Sequence, residues 1–545
     1  MSKVSVSVPM AIRTWLCGGR LWLCSTIIAA AACALAQANP KVNQAPTEAP
    51  ATAQQTAPAT APATTSPPAS TASPALAAAS APAAAPAQIP PPACDIADGF
   101  TLAAVGDLIY SEPLSNLPDE GFKAVLNILR TTDATFGNLE NTLIDLDSFK
   151  GHPQAENGGA HLIGSPAVAK DMRNMGFNLV SRANNHTTDW GIEGMFATDE
   201  AAEEAGLVHA GSGYNLSAAR AAHYLQTTKG RVALVSMTST PTPISVASDP
   251  LGRAPGRPGV NALRVKPYAI VSPEMMQALH KMHDAQPPAL LQAEDQEKRV
   301  LKPESDKKPG EEKKKDDKPE ELTLFGANYR VGDKPVRFAY DMNEADLREI
   351  LKGIRQGKQN SDLLVATIHA HEPENWSEDP ADFLPKLAHA AIDAGADVFI
   401  GHGPHRLRAI EIYRGKPIFY SLGNFFFQVE MQEPVPIELY EALNGNPAAL
   451  TENEIMARLL KAWFDTPVWY QSVIAVSRFE RGQVAEVRLY PVDLGLKAGN
   501  FNQGIPRLAS ADIAQTILEE LQRLSKPYGT NIAIENGIGV IRLQE

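Results

Sequence analysis

Six short polar clusters carry the side chains of this chain that could do chemistry. Each cluster comes directly after a short apolar run. They are Gly106-Asp107, Gly137-Asn138-Leu139-Glu140, Ala183-Asn184-Asn185-His186, His369-Ala370-His371-Glu372, Gly401-His402-Gly403-Pro404-His405 and Ser421-Leu422-Gly423-Asn424. Their candidate ligands are carboxylates, amides and imidazoles without thiolate, a set that suits Mn, Zn, Fe or Mg and disfavours copper(I). The clusters therefore predict one or two divalent metal ions.

Six side chains are candidate metal ligands: Asp107, Glu140, Asn185, His369, His402 and His405. A divalent ion among such groups commonly acidifies a bound water and polarises a phosphoryl or carbonyl oxygen. His186 follows Asn185 and could stabilise a developing oxyanion or protonate a leaving group. This combination indicates hydrolytic or phosphotransfer chemistry.

Each of these residues also has a purely structural explanation. An Asp at a strand end, such as Asp107, is often a helix cap or a turn former. His369 follows an apolar strand and could be a buried core histidine. His402 and His405 are harder to explain in this way, because the Gly-Pro pair between them fixes a turn that presents both imidazoles. The prediction of a metal centre therefore rests on all six polar clusters together, because they lie at equivalent strand ends.

Five further residues are weaker candidates for supporting or substrate contacts: Asn184, His371, Glu372, Arg257 and Asn424. His371 and Glu372 are expected to support the metal ligands without binding the metal themselves. The alternative is that one of them is a further ligand. Arg257 lies in a Pro/Gly-rich loop and could touch substrate. Arg406 and Arg408 could clamp an anionic substrate or lie on an exposed strand.

The apolar runs before the clusters predict strands, and the stretches between them predict helices. The predicted helices span 119–129, 166–175, 194–205, 343–354 and 383–394. Towards the C-terminus, a hairpin at 470–492, a helix at 511–524 and a last strand at 537–543 are expected. Alternating strands and helices predict an α/β fold. Ligands of such folds bind beyond the carboxyl ends of the strands, where all six clusters would lie.

The N-terminal residues 1–38 are typical of an export signal. Arg13 and Arg20 supply positive charge before an apolar stretch that ends in small residues. The stretch is shorter than the ~20 residues that cross a bilayer. We therefore expect cleavage and a periplasmic or extracellular protein, with an uncleaved membrane anchor as the alternative. Only Cys94 would then remain, so an internal disulfide is not expected.

Composition divides the rest of the chain. Residues 39–94 are rich in Ala, Pro, Thr and Ser and predict a disordered tether. Residues 95–430 form the predicted α/β domain that carries the six polar clusters, with a disordered charged insertion at about 294–321. Residues 431–545 are expected to complete that domain, and 431–468 could cover the site as a lid or decorate the fold. A formal net charge of −13 disfavours nucleic acid as a partner.

The clusters, taken in order, resemble the motif series of the CapA-type poly-γ-glutamate capsule biosynthesis proteins, which belong to the calcineurin-like metallophosphatase superfamily. The resemblance covers roughly 98–430. It implies a four-layer α/β/β/α sandwich of two mixed sheets with a metal centre at the strand ends. It places the six candidate ligands around the metal and makes His186 the catalytic histidine.

The chain departs from the superfamily pattern in its first two motifs. The superfamily has Asp-x-His where Asp107 is followed by Leu108 and Ile109, so one ligand is missing. It also has Asp where Glu140 stands. CapA-type proteins share both departures, which allow a mononuclear or asymmetric centre. After His369, a Trp-Gly pair of the common family pattern is replaced by Ala-His.

The resemblance and the residues together predict an exported metal-dependent hydrolase. Its metal-activated water would attack a phosphoester or an amide of a capsular or cell-envelope polymer, with membrane-bound capsule synthesis proteins as further partners. The alternative is a non-catalytic polymer-binding or assembly component of a capsule export system that keeps the fold.

Overall fold

The computed structural model describes residues 93–301, 319–496, 498 and 502–543. The predicted export signal and all but two residues of the predicted tether lie outside this part. The described residues of Pro90–Leu322 and Asn328–Glu545 form one compact unit, which contains the site described below. No helix among the described residues is long and apolar enough to span a bilayer.

The described residues form strands and helices that alternate along much of the chain. The strands are β1 (Phe100–Ile109), β2 (Ala134–Leu139), β3 (Thr142–Leu143), β4 (Ile163–Gly164), β5 (Leu179–Ser181), β6 (Val208–Ala210), β7 (Ser212–Gly213), β8 (His223–Thr227), β9 (Gly230–Thr238), β10 (Gly259–Val260), β11 (Val265–Val271), β12 (Glu321–Leu324), β13 (Ala327–Val331), β14 (Arg337–Met342), β15 (Leu363–His369), β16 (Val398–His402), β17 (Ile410–Tyr413), β18 (Lys416–Phe419), β19 (Asn424–Phe427), β20 (Gln471–Glu480), β21 (Gln483–Asp493), β22 (Arg507–Leu508), β23 (Ala533–Glu535) and β24 (Ile538–Arg542). The helices are α1 (Glu120–Arg130), α2 (Ala167–Met175), α3 (Gly191–Glu204), α4 (Leu216–Ala219), α5 (Pro273–Asp284), α6 (Pro288–Leu301), α7 (Glu344–Gln359), α8 (Phe383–Ala394), α9 (Ile437–Ala442), α10 (Glu452–Trp463) and α11 (Ala511–Ser525).

Two large mixed sheets carry the fold. The ten-stranded sheet has the order β23-β24-β21-β20-β1-β2-β5-β6, with β19 also paired to β1 and β22 to β21. The six-stranded sheet has the order β17-β18-β16-β15-β9-β8. Within them β1, β2, β5, β6 and β19 pair in parallel, as do β9, β15, β16 and β18. Parallel pairing brings the carboxyl ends of these strands to one edge of each sheet.

The central strands are buried on both faces, which explains their continuous apolar runs. Successive side chains point to opposite faces of a strand. In β15, Leu363 and Val365 therefore join the core between the sheets, whereas Leu364 and Ala366 face the helix side. Helices α1 and α2 cover the outer face of the ten-stranded sheet, and α7 and α8 cover that of the six-stranded sheet. The architecture is thus the four-layer α/β/β/α sandwich that was predicted.

Two predicted segments differ in detail from the structure. Residues 294–301, at the start of the predicted charged insertion, form the second half of α6, and 302–318 lie outside the described residues. Residues 431–468 form α9 and α10, and Ile455 and Leu459 are buried in the core against the ten-stranded sheet. This segment is therefore packed as part of the sandwich.

Glu430 makes the stability of the fold sensitive to pH. Its side chain is buried, and neither carboxylate oxygen is hydrogen-bonded to another described residue. Burial raises the pKa of Glu430 from 4.5 to about 7. Between those values the folded chain keeps a proton that the unfolded chain loses, so the free energy of unfolding falls as pH rises. The loss reaches roughly 3 kcal/mol above pH 7.

We expect Glu430→Gln to remove this pH dependence. Compared with the wild type, the variant should gain roughly 3 kcal/mol more unfolding free energy at pH 8 than at pH 4.5. Urea unfolding at both pH values measures the difference. Glu441→Gln, at an exposed position of α9, is the control and should change little. An equal effect of Glu430→Gln at both pH values would contradict the prediction.

Candidate metal centre

The carboxyl ends of the two sheets meet at a buried polar cluster. Asp107 lies in β1, Glu140 directly follows β2, and His369 and His402 end β15 and β16. All four are fully buried. Parallel pairing sets His369 opposite His402, which brings both imidazoles to the same point of the edge. Residues separated by up to nearly 300 positions in sequence thereby share one site.

Ligand atoms converge in two overlapping groups, Asp107 with His369 and His402, and Asp107 with Glu140 and His405. Within each group the ligand atoms lie within 4.8 Å of one another. Asp107 belongs to both. The structure therefore brings five of the six predicted ligands together around one aspartate.

Close backbone packing places Asp107. Its N–H donates to the carbonyl oxygen of Gly423 over 3.0 Å. A Cβ on the neighbouring Gly106 would lie 1.8 Å from that same oxygen, so only glycine fits there. On the other side of the cluster, His405 has a φ of 58°, a left-handed conformation that is strained for a histidine. The Gly-Asp and His-Gly-Pro-His motifs are thus explained by the geometry of the site.

Asn138 joins the two carboxylates, a role that the sequence analysis missed. Its Nδ2 donates to Oδ1 of Asp107 and to Oε1 of Glu140, each over 2.9 Å. Its Oδ1 accepts from Nδ2 of Asn184. The sequence offers no signal for this role, because it follows from the parallel register that pairs Asp107 with Asn138. Two carboxylates are therefore held at fixed positions by one amide.

The imidazoles are held by partners on their outer sides. Nε2 of His402 lies 2.8 Å from Oγ1 of Thr367. Nδ1 of His405 donates to Oδ1 of Asn424 over 2.9 Å, and that amide is oriented by its own donation to the carbonyl of Trp469. Burial lowers the pKa of His402 to about 4 and that of His369 well below its ordinary value. Both rings are therefore neutral at pH 7, the state that binds metal.

Two of the candidate ligands carry a buried oxygen without a hydrogen-bond partner, which bears on whether these residues fit a cation. Oε2 of Glu140 and Oδ1 of Asn185 are buried without a hydrogen-bond partner among the described residues. The Asn185 amide is oriented by donation from Nδ2 to the carbonyl of Gly158. Buried polar atoms are nearly always satisfied. Together with the neutral imidazoles, these oxygens form a nitrogen and oxygen donor set that fits a divalent transition metal or Mg.

His186 is oriented by a fixed carboxylate. Its Nδ1 lies 2.7 Å from Oδ2 of Asp189. Asp189 also accepts the backbone N–H groups of Gly158 and Leu162, so it can act only as acceptor towards His186. The Nδ1 proton is thereby held in place and Nε2 is left for proton transfer.

The loop at Gly158 controls the position of His186. A Cβ at residue 158 would lie 2.6 Å from Nδ1 of His186 and 2.8 Å from Nδ2 of Asn185. We expect Gly158→Ala to displace His186 and to lower kcat/KM towards a phosphoester by about 100-fold, the effect of a misplacement near 1 Å. Steady-state kinetics measure this, with Gly353→Ala in α7 as the control. Unchanged kinetics of Gly158→Ala would contradict the assignment.

The weaker candidates separate into two groups. Asn184, Asn424, His371 and Glu372 lie at the site and support it: Asn184 accepts the N–H of His186, for example, and Glu372 accepts from Ser239 and Thr240. Arg257 lies on an exposed loop, where its hydrogen bonds run to Val246 and Ser248. The structure therefore does not bring Arg257 into the cluster.

Arg406 and Arg408 are both buried, which excludes the exposed-strand interpretation. Their guanidinium groups donate to backbone carbonyls of the loop after His371, including those of Trp376 and Glu374. Arg408 donates from all three of its guanidinium nitrogens to this loop, whereas Nε of Arg406 has no hydrogen-bond partner among the described residues. Both arginines therefore hold the loop within the chain.

The chain is similar to several known proteins. The family described as Bacterial capsule synthesis protein PGA_cap matches residues 101–429. "Uncharacterized protein y4sH" of Sinorhizobium fredii is 47% identical over 459 residues, covering 82% of this chain and 94% of that protein. Capsule biosynthesis protein CapA of Bacillus anthracis is 25% identical over 332 residues, covering 60% and 59%. The solved NAD nucleotidase of Haemophilus influenzae aligns with 78% of this chain and 62% of its own, at 10% identity and a TM-score of 0.30, too low to establish a common fold.

Proposed function

The chain belongs to the bacterial capsule synthesis protein family, and on this premise we propose that it is an exported, metal-dependent hydrolase acting in the synthesis of a capsular or cell-envelope polymer of the poly-γ-glutamate type. The family membership confirms the resemblance drawn from the strand-end motifs. The printed names support the polymer class, since the matching family is described as a capsule synthesis protein and the Bacillus anthracis relative is called capsule biosynthesis protein CapA.

One observation carries the proposal of hydrolysis: two groups of buried ligand atoms overlap at Asp107. Asp107, Glu140, His369, His402 and His405 would hold one or two divalent ions, and the free oxygen of Asn185 offers a further donor. An ion bound there would supply Lewis-acid polarisation of a phosphoryl or carbonyl oxygen. The identity of the ion, Mn, Zn, Fe or Mg, is left to experiment.

The chain's own residues supply positioning and proton transfer. Asn138 holds the two carboxylates at fixed positions by donating to both, and there they would bind the cation. In its doubly protonated form His186 would keep its Nδ1 proton on Asp189 and donate its Nε2 proton to the departing oxygen of a phosphoester or nitrogen of an amide. The departing group then leaves as a neutral alcohol or amine.

A non-catalytic polymer-binding role is the second candidate. It is favoured by the first motif, in which Leu108 and Ile109 stand where the superfamily has a further histidine ligand. Both side chains are buried in the apolar core and offer no donor. A centre with fewer ligands would be compatible with binding of an anionic polymer through the metal without turnover.

Metal analysis and hydrolysis of simple probes test the proposal. We expect residues 95–545 to contain one or two equivalents of a transition metal after incubation with Mn or Zn. They should hydrolyse p-nitrophenyl phosphate, its diester or a γ-glutamyl anilide. Chelation should abolish turnover, and addition of metal should restore it. Tight metal without turnover of any probe would favour the polymer-binding role, and no metal at all would overturn the hydrolase proposal.

A further inference from the structure

A chain of hydrogen bonds runs from a surface loop to one ligand of the metal centre. Oδ1 of Asn375 lies 2.7 Å from Nδ1 of His371. Nε2 of His371 lies 2.9 Å from Nε2 of His369. Nδ1 of His369 then lies 3.0 Å from Nδ1 of His402 and 3.6 Å from Oε1 of Glu140, inside the cluster.

The chemistry of these groups determines where the protons sit. An amide oxygen can only accept, so the proton of this contact belongs to Nδ1 of His371. In a neutral imidazole the other nitrogen is then an acceptor, and Nε2 of His371 receives a hydrogen bond from Nε2–H of His369. His369 therefore directs the lone pair of its Nδ1 into the cluster.

Thr367 gives His402 the same orientation by an independent route. The Thr367 hydroxyl donates its proton to the carbonyl oxygen of Ile400 over 2.9 Å. It can therefore only accept from Nε2–H of His402, whose Nδ1 then carries a lone pair. The Nδ1 atoms of His369 and His402 thus face each other at 3.0 Å without a proton between them. Such a pair of lone pairs is stabilised by a cation that both can bind.

A buried arginine holds the loop that carries Asn375. Arg408 is fully buried and donates to the carbonyl oxygens of Glu372, Glu374 and Ser377, on both sides of Asn375. The N–H of His371 is also fixed, by donation to Oγ1 of Thr240. The amide oxygen and the imidazole are therefore set at a defined distance before any ligand binds.

We propose that Asn375 and His371 are positioning residues that hold His369 as the Nε2–H tautomer, so that its Nδ1 is the metal-binding atom. This inference rests on the proposed metal centre, because the tautomer matters for function only if His369 binds metal there. Outer partners of metal-binding histidines typically change metal affinity by 10- to 100-fold when they are removed. The proposal assigns a role to His371, which together with Ala370 replaces the Trp-Gly pair of the common family pattern.

Histidine tautomers can be read directly in the metal-free protein. Long-range ¹H–¹⁵N correlation spectra of ¹⁵N-histidine-labelled residues 95–545 distinguish protonation at Nδ1 from protonation at Nε2. We expect Nε2–H for His369 and Nδ1–H for His371. His371→Gln retains an acceptor at the position of Nε2, whereas His371→Met fills similar space without a good one. Asn375→Ala, on the loop, is a milder second variant.

The expected outcome separates positioning from packing. His371→Met and Asn375→Ala should shift His369 away from the single Nε2–H tautomer and weaken Mn or Zn affinity by about 10- to 100-fold. His371→Gln should keep the tautomer and an affinity close to that of the wild type. Protonation of wild-type His369 at Nδ1, or an unchanged tautomer in both the Met and Ala variants, would overturn the proposal. If the wild type binds no metal, the proposed function fails, whereas the tautomer spectra still decide whether Asn375 and His371 hold His369 as the Nε2–H tautomer.

Discussion

Asp107→Asn is expected to abolish metal binding while leaving the sandwich folded. Asp107 is the residue common to both groups of ligand atoms, and its carboxylate lies 3.7 Å from Nδ1 of His402. An amide has nearly the same shape but lacks the negative charge that a divalent ion requires. The loss should exceed about 100-fold in metal affinity, the upper end for residues that merely support a ligand.

Elemental analysis and titration with Mn or Zn measure this loss. Asp346→Asn is the matched control, because Asp346 is also buried but pairs with Arg220 and Arg264 away from the site. That control should lose stability and keep its metal. If Asp107→Asn retained wild-type metal content, the centre could not be organised around this aspartate.

His186→Gln is expected to lower kcat for the most active probe by 10²- to 10⁴-fold without changing the metal content. The range is that of a lost general acid or base. Gln cannot transfer a proton, and the Asp189 carboxylate that orients His186 would remain in place. Asp189→Asn should act in the same direction, because an amide does not hold the imidazole proton at Nδ1 as a carboxylate does.

Stopped or continuous assays at saturating probe give kcat, and elemental analysis gives the metal content of the same samples. His209→Gln is the control, since His209 is buried but pairs with Glu203 and not with Asp189. Its kcat should match that of the wild type. Equal turnover of His186→Gln and the wild type would remove His186 from the chemistry.

Much of the fold could be predicted from local pattern. The apolar runs before the polar clusters are strands because their side chains are buried on both faces, and the predicted helices agree with α1, α2, α3, α7 and α8 to within five residues at either end. Amphipathic spacing and helix caps depend on residues only a few positions apart, so the helices can be predicted from the sequence. Asp119, for example, caps α1 by accepting from the N–H of Phe122.

The convergence of the ligands was also predictable, because parallel strands place their carboxyl ends together. The partners of those ligands were not. In sequence Asn138 is only a member of the polar cluster around Glu140, and its place between two carboxylates follows from the register of β1 and β2. Arg408 reads as a charged residue on a strand, yet it is fully buried around the loop of Asn375.

By itself, the sequence determined the α/β alternation, the family and the residue types from which a metal centre is built, since these depend on composition and short-range spacing. The tertiary structure decided which nitrogen of each histidine faces the cluster. It also decided which polar groups form hydrogen bonds with the candidate ligands. It also placed Arg257 outside the site. These features depend on contacts between distant segments, such as Asn138 with His369 or Arg408 with Glu372. Packing of the two sheets sets such contacts, and hydrogen-bond directionality then selects the tautomers.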